Sequence, residues 1–274
     1  VDVLAIVHRW AGTEAMSDLR SQVATNGEAP PDEPFSRGLV QIGDCTELMP
    51  KFPGEASVDL LLTDPPYFIG ASLGTNDSIG VGRFDYAGGY VAHERWLFRC
   101  KPTLKRTANV VIFEYPYNLE LVTSACRRMG LVVQTVGIWM PPARFNVKRR
   151  RPMNGYDVWV WATMHPTDYY YDECGLSDAY YMAQHAIDKS GPIPGQKPIE
   201  LLRPMIRAMC PANGLVFDPF LGSGSTGRAA RMEGRAWGGV EFGERNLATI
   251  RGKALTDVPL LEKWGENEAT GSRD

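Results

Sequence analysis

The sequence predicts an α/β protein with a mostly parallel sheet covered by helices on both faces. Three observations carry that expectation. Short apolar runs alternate along the chain with stretches of helical character. The run Val58-Asp59-Leu60-Leu61-Leu62-Thr63 ends at Asp64, as a strand buried on both faces and leading into a functional loop would. The run Gly214 to Phe217 ends at Asp218 and leads into a glycine-rich turn that opens a helix.

The elements follow in order. Residues 1–37 form a lead-in, broken by Asn26-Gly27 and Pro30-Pro31. After the strand at 58–63 comes a long stretch, 68–92, with six glycines and little periodicity, read as a loop. Asn109 to Phe113 is a strand, 117–129 a helix stopped by Gly130, and 131–140 a strand. Asp157 to Trp161 alternates weakly and reads as a strand, whereas 165–195 shows no period. Pro198 opens a helix that runs to about Met209, with Pro204 inside it as a source of a kink. Gly214–Phe217 is a strand, 225–233 a helix, and Ala236–Val240 a strand ending at Glu241.

Composition sets the class. With 274 residues, 44% of them apolar, the chain suits one large domain rather than two. It contains no run of 18 apolar residues and is not read as spanning a membrane. The opening Val1 to Val7 has no basic run before it and is not read as a secretory signal. Five scattered cysteines without a C-x-x-C pair, and four histidines, argue against zinc and against a disulfide framework. No metal is expected, and a reducing cytoplasm fits. The net charge of -3 counts mildly against nucleic acid, but Arg144, Lys148, Arg149, Arg150 and Arg151 form a dense basic cluster.

Two motifs carry chemistry. Gly222-Ser223-Gly224-Ser225-Thr226-Gly227 lies between a predicted strand and a predicted helix. Glycines there allow a tight turn and close approach of a ligand, and the helix start offers unpaired N–H groups. Glu241, 19 residues after Gly222, ends the next strand, where a carboxylate can accept hydrogen bonds from a ribose diol. These features suit a nucleoside cofactor. The preceding Asp218-Pro219-Phe220 is foreign to the dinucleotide fingerprint, which leans away from an oxidoreductase.

The second motif is Asp64-Pro65-Pro66-Tyr67. The exocyclic amine of a nucleobase is a poor nucleophile because its lone pair is delocalised into the ring. A carboxylate at Asp64 and the carbonyl of Pro65, held stiff by the proline pair, could accept both amino protons. Tyr67 offers a flat face for a base drawn out of its helix. Positioning and electrostatics, rather than base strength, would then carry the reaction.

In these residues the chain resembles the amino-group DNA methyltransferases, in the circularly permuted β group whose catalytic motif precedes the cofactor motif. The resemblance spans about residues 38–255 and includes Gln41 to Cys45, Val58 to Tyr67, Gly195 to Leu202 and Phe217 to Thr226. It implies a single Rossmann-like methyltransferase domain with a seven-stranded, mostly parallel sheet, and S-adenosylmethionine as cofactor. It places Asp44 on the cofactor's adenine, with Cys45 beside it. Asp218, Pro219, Phe220, Gly222 and Gly224 would line the pocket, with Thr226 closing the loop. Ser223 and Ser225 would flank the methionine part, Lys197 would meet its carboxylate, and Glu241 would meet the ribose hydroxyls. Asp at position 64 favours adenine N6 over cytosine N4, the alternative.

The implied partner is double-stranded DNA, entered by base flipping, in the setting of DNA methylation and restriction-modification. A small DNA-recognition insertion would lie at about 141–195, with 256–274 as a tail. So short a region implies a short target, help from a homodimer partner, or a contribution from 68–92. The basic cluster at 144–151 would neutralise phosphates.

Overall fold

The structure, a computed structural model, describes residues 38–66, 89–140, 155–172, 175–181, 196–242 and 260–261. Among the described residues, nine strands form one sheet: β1 (Leu39–Ile42), β2 (Val58–Thr63), β3 (Leu104–Glu114), β4 (Val132–Met140), β5 (Asp157–Thr163), β6 (Ala179–Tyr181), β7 (Leu215–Asp218), β8 (Ala236–Glu241) and β9 (Leu260–Leu261). Their order is β6-β4-β5-β3-β2-β7-β8-β1-β9. Neighbours pair in parallel except at β5, which is antiparallel to both β3 and β4. The seven strands implied by the resemblance become nine because β6 and β9, of three and two residues, add short edges.

Alternate residues of each strand point to opposite faces, and the central strands β2 and β7 are buried on both. On one face, α4 (Ile199–Met209) and α5 (Ser225–Met232) cover Leu60, Leu62, Val111, Phe113, Val216 and Trp237. On the other, α2 (Gly89–Cys100) and α3 (Leu119–Arg128) cover Leu61, Val110, Ile112, Val160 and Phe217. A four-residue helix, α1 (Cys45–Leu48), follows β1. Each fully buried Leu or Ile contributes roughly 1.5–3 kcal/mol, so the two apolar layers hold the strands in register.

Polar ties fix the ends. Asp59 Oδ2 accepts from Lys105 Nζ and from the backbone N–H of Leu215, both at 2.8 Å, joining β2, β3 and β7 at their amino ends. The buried Asn109 amide donates to the carbonyls of Tyr170 and Met209 and accepts from Trp161 Nε1. Glu233 binds Arg203 and Arg207 of α4 and so clamps it to the end of α5. Helix α4 runs unbroken through Pro204.

The elements between 109 and 241 appear close to their expected bounds. Three differences have physical causes. The loop expected at 68–92 yields to helix from Gly89, because His93, Trp96, Leu97 and Cys100 recur at helical spacing and are all buried. Strand β3 starts at Leu104, five residues early, and takes in Arg106-Thr107-Ala108. The span 141–195 contains β5, which lies inside the sheet between β3 and β4, and β6. The lead-in at 1–37 lies outside the described residues, whereas Leu260 and Leu261 of the tail pair with β1.

Candidate active site at the carboxyl edge of the sheet

Strands β3, β2, β7, β8 and β1 lie side by side and parallel, so their carboxyl ends share one edge. The chain leaves β2 toward β3 and leaves β7 toward β8, in opposite directions. The β2–β7 boundary is therefore the switch point where an open α/β sheet forms its ligand crevice. Asp64 follows β2 and Asp218 ends β7, and these strands pair directly at Leu60–Val216 and Leu61–Phe217. The two sequence motifs, 154 positions apart by number (218 − 64), thus meet at the crevice.

The glycine turn is built as its sequence requires. Gly222 and Gly224 have φ of 55° and 80°, a region costly for residues with a Cβ. Gly227 lets α5 lie close on the sheet, since a Cβ there would stand 2.5 Å from the Trp237 ring. The hydroxyls of Ser223 and Ser225 are 2.9 Å apart and buried. Glu241 Oε2 accepts from the Gly222 N–H at 2.7 Å, so this carboxylate holds the turn as well as facing the crevice edge. Asp44 caps α1, accepting from Thr46 N and Thr46 Oγ1 at 2.7 and 2.8 Å. Burial pushes the Cys45 thiol up to about 12, with Asp44 adding to the shift, so it stays protonated and unreactive.

Asp218 is the most constrained group. Its Oδ1 accepts from Thr63 Oγ1 at 2.7 Å and from Phe220 N at 3.0 Å, linking the ends of β2 and β7. Burial raises its carboxyl from 3.8 to about 6; hydrogen bonds from Thr63, Thr226 and Phe220 oppose the rise, and the charge of Asp64 adds to it. Pro219 is buried beside it, and Phe220 packs edge-on against Trp96 of α2 at 5.4 Å.

The reacting half holds a pairing that the sequence did not suggest. Lys197 Nζ donates to Asp64 Oδ2 at 2.6 Å. The lysine side chain is 4% exposed and that of Asp64 29%. The ammonium lies 5.1 Å from the Phe113 ring centre and 5.5 Å from that of Trp139. Lys197 precedes Pro198, the N-cap of α4, so the apolar helix behind it sets its place. Phe113 and Trp139 were not singled out from sequence. The signal available for them was position, since both stand near the carboxyl ends of predicted strands. Beside this group, His93 Nε2 meets Glu114 Oε2 at 2.8 Å, tying α2 to the end of β3.

Of the catalytic motif, Pro65 is buried and Pro66 exposed, and Tyr67 lies outside the described residues. Arg144, Lys148, Arg149, Arg150 and Arg151 also lie outside them. Among the described residues, no group of three or more His, Cys, Asp or Glu could hold a metal, and no helix could cross a membrane.

The raised carboxyl of Asp218 gives a prediction. A carboxyl that titrates near 6 when folded and near 3.8 when free costs stability as pH rises through that window. Asp218→Asn keeps an acceptor for Thr63 and Phe220 and carries no charge. We expect urea unfolding at pH 8 to show the variant more stable by roughly 1–3 kcal/mol, the gap closing by about pH 4. A gap that does not vary with pH would contradict the assignment.

Comparison with known proteins agrees with this geometry. Residues 58–251 match the N6/N4 methyltransferase profile, described as DNA methylase. The type II methyltransferase M.HinfI of Haemophilus influenzae is 26% identical over 253 residues, covering 79% of this chain and 67% of that one. The methylase YubD of Escherichia coli K12, whose own assignment is provisional, is 29% identical over 240 residues, covering 83% and 97%. Among solved structures, the M1.HpyAVI–SAM complex aligns with a TM-score of 0.64 at 20% identity, covering 78% and 98%. The cytosine-N4-specific PvuII DNA methyltransferase aligns at 0.63 and 19%, covering 77% and 84%. The profile match extends over most of the chain and takes in both motifs at the crevice: this chain belongs to the DNA methylase family of N6/N4 amino methyltransferases.

Proposed function

We propose that this chain transfers a methyl group from S-adenosylmethionine to the N6 amine of an adenine flipped out of double-stranded DNA. The observation that carries the reading is the pairing of β2 with β7, which sets Asp64 beside the Asp218 turn. The site fits the cofactor on its own chemistry. Glycines in left-handed conformations open the backbone at 222 and 224, and carboxylates stand at Asp218 and Glu241. Asp44, Cys45, Pro219, Phe220, Ser223, Ser225 and Thr226 complete that side. The solved relative in complex with SAM supports the same choice.

When bound, the cofactor would supply an electrophilic methyl group, with its sulfur as the leaving group. The protein's part is to present the amine. Asp64 and the Pro65 carbonyl accept its protons and turn the nitrogen lone pair toward the methyl. Positive charge then grows on nitrogen, and the Asp64 carboxylate stabilises it. The surplus proton leaves after transfer, so Asp64 need not be a strong base. Tyr67 stacks on the extruded base.

A second reading, cytosine N4 methylation, is supported by the PvuII neighbour, which is cytosine-N4-specific. Asp64 favours adenine. Both bases present an exocyclic amine, so the same groups would serve either.

Transfer of tritiated methyl to DNA, followed by digestion and separation of nucleosides, tests the mechanism. Asp64→Ala should slow turnover at least ~100-fold with cofactor binding largely kept. Glu241→Ala should weaken cofactor binding by about 1–3 kcal/mol in calorimetry. Near-normal turnover in the first, or unchanged affinity in the second, would sink the corresponding role.

For the DNA, we infer that Arg144, Lys148 and Arg149 to Arg151 contact phosphates. Replacing the last three with alanine should weaken binding to every sequence alike and flatten its dependence on salt. An unchanged salt slope would remove them from the interface.

A further inference from the structure

We propose that Lys197 is a positioning residue for the methyl-accepting amine: its ammonium holds one oxygen of Asp64 and directs the carboxylate toward the base. The proposal rests on the reading of Asp64 as the amine's partner. It differs from the role that the resemblance implies for Lys197, contact with the cofactor's methionine carboxylate.

The geometry carries it. The Lys197 ammonium is nearly sealed from solvent, and it is 2.6 Å from Asp64 Oδ2. The Phe113 and Trp139 rings face it from β3 and β4, where an ammonium over an aromatic ring is held electrostatically. Its backbone is fixed by the cap of α4, whose Leu201, Leu202, Met205 and Ile206 are buried. A charge placed this firmly restricts the χ angles of its partner. Asp64 needs that restraint because Asp218 stands nearby, and the charges of the two carboxylates oppose each other. Lys197 offsets the repulsion and keeps Asp64 ionised, an acceptor rather than a donor. The two roles are separable by experiment.

The test uses the full chain with Lys197→Met and, as a second neutral replacement, Lys197→Gln. The first readout needs no ligand. In protein labelled with carbon-13 at the aspartate carboxyl, the Asp64 resonance is assigned by its loss in Asp64→Asn and titrated. We expect a midpoint below the ordinary carboxylate range in the wild type, and a higher one in either variant. The second readout is turnover at saturating cofactor. It should fall about 100-fold, the scale of a misplaced reacting group. The cofactor dissociation constant should change by less than about threefold. In an Asp64→Ala background the lysine replacement should cost little further.

A wild-type midpoint at or above the ordinary carboxylate value overturns the proposal, even if both variants fail to fold. So does a loss of turnover that saturating cofactor restores, since the lysine would then serve the cofactor alone. If the wild type methylates no DNA while the Asp64 midpoint still moves, the pairing is supported and the methyltransferase reading fails.

Discussion

Two carboxylates end neighbouring parallel strands, and each raises the cost of charging the other. This is the constraint around which the molecule is arranged. The β2–β7 pairing sets Asp64 and Asp218 at one edge, and burial already holds Asp218 at about 6. Such a pair is not built for stability, because apolar strand ends would pack at lower cost. The hydroxyl of Thr63 and the N–H of Phe220 offset the cost at Asp218, and the ammonium of Lys197 does so at Asp64. Perturbed, partnered carboxylates in a switch-point crevice mark a site kept for chemistry.

The surrounding packing fixes where those partners stand. Lys197 stands at the crevice just before the N-cap of helix α4, and Glu233 locks that helix to α5. Helix α5 in turn begins at the glycine turn and lies close on Trp237 because Gly227 has no side chain. From the opposite face, α2 presses Trp96 on Phe220 and binds Glu114 through His93. The cofactor turn and the base side are therefore both braced by helices that have one buried apolar face each. A methyl transfer that depends on positioning rather than base strength needs such bracing, since a displacement of about 1 Å can cost about 100-fold in rate.

Much of this was legible in the sequence for identifiable reasons. The strands at 58–63 and 215–218 are short apolar runs closed by an aspartate, and the glycine turn has few other uses between strand and helix. Helix α2 was obscured because the glycines of 68–92 run into it, although residues 93, 96, 97 and 100 already showed helical spacing. Strands β1, β6 and β9 are four, three and two residues long, too short to show a period. Lys197 and Asp64 were each named from sequence, but their contact, 133 positions apart, follows only from how α4 crosses the sheet. Phe113 and Trp139 look like core residues in sequence, and they are buried; what sets them apart is the Lys197 ammonium that lies over both rings.

The most direct measurement is made on DNA from living cells. Expressing the chain in a host that lacks DNA methylation, and sequencing that DNA with modified-base detection, reads substrate and activity together. The account predicts N6-methyladenine at one short recurring sequence, absent when the host carries the empty vector. N4-methylcytosine at such a sequence would overturn the adenine assignment, and unmodified DNA from cells holding folded protein would contradict the proposed function itself.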